Sequence, residues 1–140
     1  MSNLKIKVFN GGDTLAGFAV NSVLIYGEND AVLLDTQFAQ SSAHRFVAMV
    51  TENGVKPSRI YISHFHPDHF LGLNVIKKEF PDIEVLSLPG IADLINGAFD
   101  FKIDYWGKEV LKLDGAKEAV KVKPVSKPYL ELEGEKIEIL

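Results

Sequence analysis

"ISHFHPDHF", residues 62–70, is the stretch on which the reading of this chain turns. It gathers His64, His66, Asp68 and His69, while the only other histidine is His44 and cysteine is absent. On an extended segment, side chains two positions apart project to the same side, so the imidazoles of His64 and His66 can reach one ion. Pro67 disfavours helix at the residue before it and so ends the extended run. Asp68 and His69 then fall on the turn into a following helix, whose positive end favours a carboxylate. Imidazole nitrogen and carboxylate oxygen are ligands of zinc and related divalent metals. With no thiolate in the chain, any metal must rest on those two ligand types. A solvated loop of no consequence is the alternative, and so dense a cluster argues against it.

Outward from the cluster, "RIYIS" (59–63) reads as a short buried strand entering it, "GLNVIKKEF" (72–80) as a helix leaving it, and "IEVLSL" (83–88) as the next strand. Upstream, "LKIKVFN" (4–10) alternates as a half-buried strand, followed by the turn or loop "GGDTLAG". "FAVNSVLIYG" (18–27) and "AVLLDT" (31–36) are β-branched runs that predict a hairpin. "QFAQSSAHRFVAMVTENG" carries Ala43, Phe46, Val47 and Val50 at helical spacing and ends on Asn53-Gly54, a helix stop. "PGIADLING" (89–97) predicts a helix, whereas "AFDFKIDYWGKEVLKL" (98–113) accepts either strand or helix as a cover segment. The remainder alternates like strand, with a turn at Glu133-Gly134. The strand–helix–strand rhythm is that of a layered α/β fold, which places its sites at the carboxyl ends of strands.

The chain has 140 residues, 46% of them apolar and 24% charged, so one domain spanning 1–140, or part of one, can bury a real core. A formal charge of −4 argues against a broad phosphate-binding surface. Nucleic acid is therefore not an expected partner, and Lys117, Lys121, Lys123 and Lys127 read better as a solvated strand edge than as an anion site. The N-terminal stretch has no signal-peptide run and no segment is apolar for membrane-spanning length, which makes the cytoplasm the expected location.

"SHFHPDH" resembles the H-x-H-x-D-H motif of the metallo-β-lactamase superfamily, which likewise follows a strand. "NSVLIYGENDAVLLDTQF" (21–38) resembles that family's earlier signature, a strand pair ending in an aspartate. The resemblance implies an αβ/βα sandwich, a mixed sheet with flanking helices, carrying one or two zinc ions at the rim of its sheets. It implies His64 and His66 as ligands of a first metal, and Asp68 and His69 of a second. Asp68 would also orient or deprotonate the attacking water, and Asp35 would steady the ligands by hydrogen bonds. For Asp35, capping the next helix is the competing reading. The implied chemistry is zinc-dependent hydrolysis, with metal-bound hydroxide attacking an ester, lactone, thioester or amide carbonyl of a small-molecule substrate. Histidine at position 66, where the di-iron oxidoreductase branch carries glutamate, favours hydrolysis. A phosphodiesterase or nuclease, and a non-catalytic metal-binding half-domain, are the alternatives. The substrate itself is not legible.

The family pattern also needs later histidines and a bridging aspartate, and no residue after His69 is a histidine. "YLELEGEKIEIL" resembles the hairpin that precedes the next histidine motif. The expectation is therefore an N-terminal half, truncated before the third ligand motif, with little or no hydrolysis by itself. Such a half sandwich is expected to form homo-oligomers through an exposed sheet face or strand edges. Among the aromatics, Phe38, Phe65 and Phe70 read equally as a substrate wall or as core, and Trp106 reads better as part of a packed cover helix than as a lid.

Overall fold

Alternation along the central strands divides the apolar residues between two faces, and each face is covered by a different layer. The computed structural model describes residues 3–12 and 19–139. Strands β1 (Lys5–Asn10), β2 (Asn21–Tyr26), β3 (Asp30–Leu34), β4 (Lys56–Tyr61), β5 (Glu84–Ser87) and β6 (Lys123–Pro124) form one sheet in that order. Pairing is antiparallel from β1 to β3 and parallel from β3 to β6. Helices α1 (Gln40–Glu52), α2 (Pro67–Phe70), α3 (Leu73–Glu79) and α4 (Pro89–Lys102) connect the parallel strands. A two-stranded hairpin, β7 (Tyr129–Leu132) and β8 (Glu135–Glu138), stands as a second sheet.

Leu24 and Tyr26 of β2, Ala31 and Leu33 of β3, and Ile60 of β4 point to the helical side and pack with Phe46, Val50, Leu73, Ile76 and Ile95. The alternate residues Ile25, Val32 and Leu86 meet Leu130 and Leu132 of the hairpin on the other side. Each fully buried side chain of this size contributes about 1.5–3 kcal/mol from removal of apolar surface. A mixed sheet with helices on one face and a two-stranded hairpin on the other matches the mixed α/β sheet with flanking helices that the resemblance implies.

The β2–β3 hairpin forms with Val23 opposite Leu34 and Tyr26 opposite Ala31. Helix α1 stops where Asn53-Gly54 predicts, with Gly54 at φ +72° and its N–H donating to the Thr51 carbonyl at 3.0 Å. Its start lies at Gln40 rather than nearer residue 37, because Gln37 takes φ +82° and cannot be helical. The undecided segment 98–113 is helical: α4 runs on to Lys102 and continues as a π-helical stretch, Ile103–Leu111, with Trp106 packed edge-on to Phe38 at 5.8 Å. The strand-like run from Lys117 yields only the two-residue β6 before β7, since Pro124 and Pro128 each remove a ladder donor. Asp13–Gly17 of the "GGDTLAG" loop, and Phe18, lie outside the described residues.

The expectation of a half-buried first strand needs correction. Ile6 and Val8 are 66% and 63% exposed, because the hairpin does not extend over β1. This strand is also an outer edge of the sheet, and Lys5 and Lys7 stand over the Tyr26 ring on the helical side. Lysines on an edge strand oppose strand addition.

A carboxylate helps to tie the hairpin to the main sheet. Glu133 and Gly134, both at positive φ, make the tight β7–β8 turn. The Glu133 carboxylate accepts the backbone N–H groups of Glu28, Asn29 and Asp30 at 3.0, 2.9 and 2.8 Å. These bonds, the one from Asp30 foremost, hold its pKa below the ordinary glutamate value. A carboxylate with a depressed folded pKa stabilises above its unfolded pKa of about 4.3, and that contribution fades as pH falls through the folded value. Urea unfolding of wild type and Glu133→Gln should therefore differ at neutral pH and converge in acid. A difference that widens in acid would remove this role.

Candidate metal centre

The loop after β4 is built by short-range chemistry. Ile62 extends β4 for one more residue, its N–H donating to the Leu86 carbonyl at 2.8 Å. His66 is extended at φ −83°, ψ 146°, as the residue before a proline must be, and Pro67 opens the single turn of α2. Asp68 therefore lies in the first turn of α2, and His69 follows it.

The structure brings the rings of His64 and His66 together edge-on, with His64 Nε2 2.8 Å from His66 Nδ1 and ring centroids 4.0 Å apart. That contact requires one neutral ring to donate and the other to accept. Burial, followed by the neighbouring His66 and His69, pushes the His64 pKa down. His69 lies beside them, its ring 5.3 Å from that of His64. Its Nδ1–H donates to Asp35 Oδ2 at 2.8 Å, which leaves Nε2 free on the other side, 3.8 Å from Asp68 Oδ2. The hydrogen bond to Asp35 raises the His69 pKa.

Asp35 follows β3 at φ +60°, a left-handed conformation that aspartate tolerates better than most residues. Its buried carboxylate also accepts the Ser63 N–H at 2.8 Å and the Ser63 hydroxyl at 2.6 Å. The alternative role for Asp35, capping α1, is not what the structure contains. Ala39 sits at the N-cap of α1, and the Ser41 N–H donates instead to Asp114 at 2.7 Å. His44 is exposed on α1. Of the three phenylalanines, Phe38 and Phe70 are buried in the core, while Phe65 is 40% exposed and packs its ring against those of both His64 and His66.

Ser63, Thr36 and Gly72 belong to this site, and the sequence reading missed all three. Ser63 stands immediately before His64, and that adjacency was the one available signal. The links of Thr36 and Gly72 to the ligand turn arise only in three dimensions.

Donor chemistry and geometry together test whether a metal fits. Two nitrogen ligands about 2.05 Å from a tetrahedral ion stand about 3.3 Å apart, a small opening from the observed histidine contact. His69 Nε2 and the Asp68 carboxylate form a second, looser pair. Among the described residues, however, no group of three His, Asp or Glu side chains is arranged to hold an ion. The residues fit a divalent metal in kind, as two partial ligand sets. Also among the described residues, no helix is long and apolar enough to cross a membrane.

A helix-covered mixed sheet with a His-x-His-x-Asp-His loop at the carboxyl end of a central strand is the arrangement the sequence resemblance implies, and comparison with known proteins agrees on the family. The sequence model of the metallo-beta-lactamase superfamily matches residues 15–139, and the chain belongs to that superfamily. No curated protein matches the sequence significantly. Among solved structures, the BLEG-1 B3 metallo-beta-lactamase is similar with a TM-score of 0.64 at 15% identity, over 96% of this chain and 59% of that one. The DIM-1 metallo-beta-lactamase gives 0.61 at 14% identity, over 96% and 52%. The FEZ-1 metallo-beta-lactamase from Legionella gormanii gives 0.58 at 21% identity, over 94% and 47%. These likenesses show the fold. The chain spans about half the length of the solved structures it matches.

Proposed function

We propose that this chain carries part of the active site of a zinc-dependent hydrolase that cleaves an ester, lactone, thioester or amide carbonyl. The observation that carries this reading is the facing pair His64 Nε2 and His66 Nδ1, with His69 Nε2 and Asp68 beside it and Asp35 fixing His69 from behind. His64 and His66 would hold one ion, and Asp68 with His69 would contribute to a second. A divalent metal in such a site supplies Lewis acidity and lowers the pKa of water.

The protein's own part is positional and acid–base. Asp68, with its side chain partly exposed beside His69, is the group to orient the attacking water and take its proton. His69 stays a fixed ligand because Asp35 takes its Nδ1–H and turns Nε2 outward. Phe65 offers an exposed apolar surface beside the histidines against which an acyl chain can rest.

Each donor pair falls short of the three protein ligands usual for catalytic zinc, so turnover by these 140 residues is expected to be slow. The test combines metal analysis with hydrolysis of a panel of activated esters, thioesters and lactones. Slow zinc-dependent turnover is expected in wild type. Asp68→Asn should lower it by about 100-fold, the middle of the range for general acid–base groups, with zinc still bound at His64 and His66. Turnover that is indifferent to zinc, or to Asp68→Asn, would defeat the reading.

A further inference from the structure

Asp35 is not alone in holding the second ligand pair. Thr36 is fully buried between two residues of positive φ, Asp35 and Gln37. Its backbone N–H donates to the carbonyl of His69 at 3.0 Å. Its hydroxyl oxygen lies 3.2 Å from that same carbonyl and 2.9 Å from the Gln37 carbonyl, the two acceptors open to its one proton. The hydroxyl also accepts the N–H of Gly72 at 2.9 Å, a group shared with the Gln37 carbonyl at 3.2 Å. The two segments meet too closely for any side chain at position 72. A Cβ there would lie 2.6 Å from the Thr36 carbonyl oxygen and 3.0 Å from both the Thr36 hydroxyl and the Ala43 methyl. His69 and Gly72 bracket Phe70 and Leu71, both buried, so the turn carrying the ligands is gripped on either side.

The grip continues behind the site. Gln37, also buried, donates from its amide to the Val20 carbonyl at 2.8 Å and to Ser22 Oγ at 2.9 Å, which binds the Thr36–Gln37 turn to β2. The residues that carry Asp68 and His69 are thereby referenced to the central sheet through backbone atoms. Of the Asp68–His69 pair, Asp35 touches only the His69 imidazole.

We infer that Thr36 is a positioning residue for the Asp68–His69 ligand pair, acting through the His69 carbonyl and the Gly72 N–H and separately from the Asp35–His69 hydrogen bond. Its functional consequence rests on the metal-site reading above. A near-isosteric Thr36→Val keeps the packing but removes both the donor and the acceptor, whereas Thr36→Ser keeps them.

Two readouts test this. In metal-free protein, exchange of the His69 Nδ1–H with water is followed by NMR alongside the core amides of β3 and β4. For the second readout, zinc affinity is measured by competition with a chromophoric chelator in a His64→Ala/His66→Ala background, which leaves only the second pair. Thr36→Val should speed His69 Nδ1–H exchange at least about ten-fold while the β3 and β4 amides hold their rates, and weaken zinc about ten-fold or more. Thr36→Ser should restore both. Equal acceleration of every amide would assign Thr36 to general stability and overturn the proposal, as would a Thr36→Val protein with unchanged His69 exchange. Selective acceleration at His69 in a chain whose background variant takes no zinc would uphold the positioning and refute the Asp68–His69 pair as a metal site instead.

Discussion

Replacing His64 and His66 together by alanine should cost the chain its tighter zinc site, weakening affinity by more than about 100-fold, with little effect on the fold. The loss is large because these two nitrogens meet directly across the loop, and among the described residues no third donor is arranged with them to hold an ion. Removing a group that merely orients a ligand costs 10–100-fold, so removing the ligands themselves should exceed that range. The fold should survive because neither imidazole holds it. His66 is exposed and His64 only partly covered, while the loop's backbone is anchored by Ser63, Thr36 and Pro67. Exposed substitutions of this kind change stability by about 0.5 kcal/mol or less. Equilibrium dialysis with zinc, paired with thermal unfolding of the metal-free proteins, checks both halves. Undiminished zinc binding in the double variant would mean that the metal sits elsewhere.

The contrast between what was and was not legible follows from range in sequence. The β-branched apolar runs of 18–27, 31–36 and 59–63 predict buried strands, because strand preference and burial are written in neighbouring residues. The histidine spacing and Pro67 predict an extended pair followed by a turn for the same reason. Where the deciding partner is distant, prediction fails. The positive φ of Asp35 and Gln37 is set by bonds to Ser63, Gly72, Val20 and Ser22, and nothing in "LLDTQF" signals it. The exposure of Ile6 and Val8 depends on how far a hairpin more than a hundred residues later extends across the sheet. Helix α1 carries no cap of its own at Ala39, and Asp114 supplies one from the turn after the π-helical segment. The candidate ligand residues were therefore readable from spacing, whereas the hydrogen-bond network around them was not.

Asp35→Ala should produce the larger loss of stability, about 3 kcal/mol, with a melting temperature lower by roughly 10 °C. The carboxylate accepts three hydrogen bonds, two from Ser63 and one from His69, and hydrogen bonds to charged groups are worth about 1.5–3 kcal/mol each where water is excluded. Ser63 is exposed enough to recover water, so its two bonds count for little and the total stays near the value of a single such bond. Alanine also tolerates φ +60° less well than aspartate. The pH dependence has a definite sign. The His69 pKa is raised by Asp35, so the ionic part of this contribution is complete below the unfolded histidine value of about 6.5 and is lost as pH rises through the folded value. The difference between wild type and Asp35→Ala should thus shrink from pH 6 towards pH 8 in metal-free protein. Asp35→Asn separates stability from aim. The amide keeps the size and the preference for positive φ but presents an N–H to His69 Nδ1, which favours the tautomer with its proton on Nε2, where a metal needs a lone pair. Asparagine should therefore cost less stability than alanine, yet still weaken zinc binding at the second pair 10–100-fold. If Asp35→Asn binds zinc there as wild type does, Asp35 supports the fold without aiming the ligand.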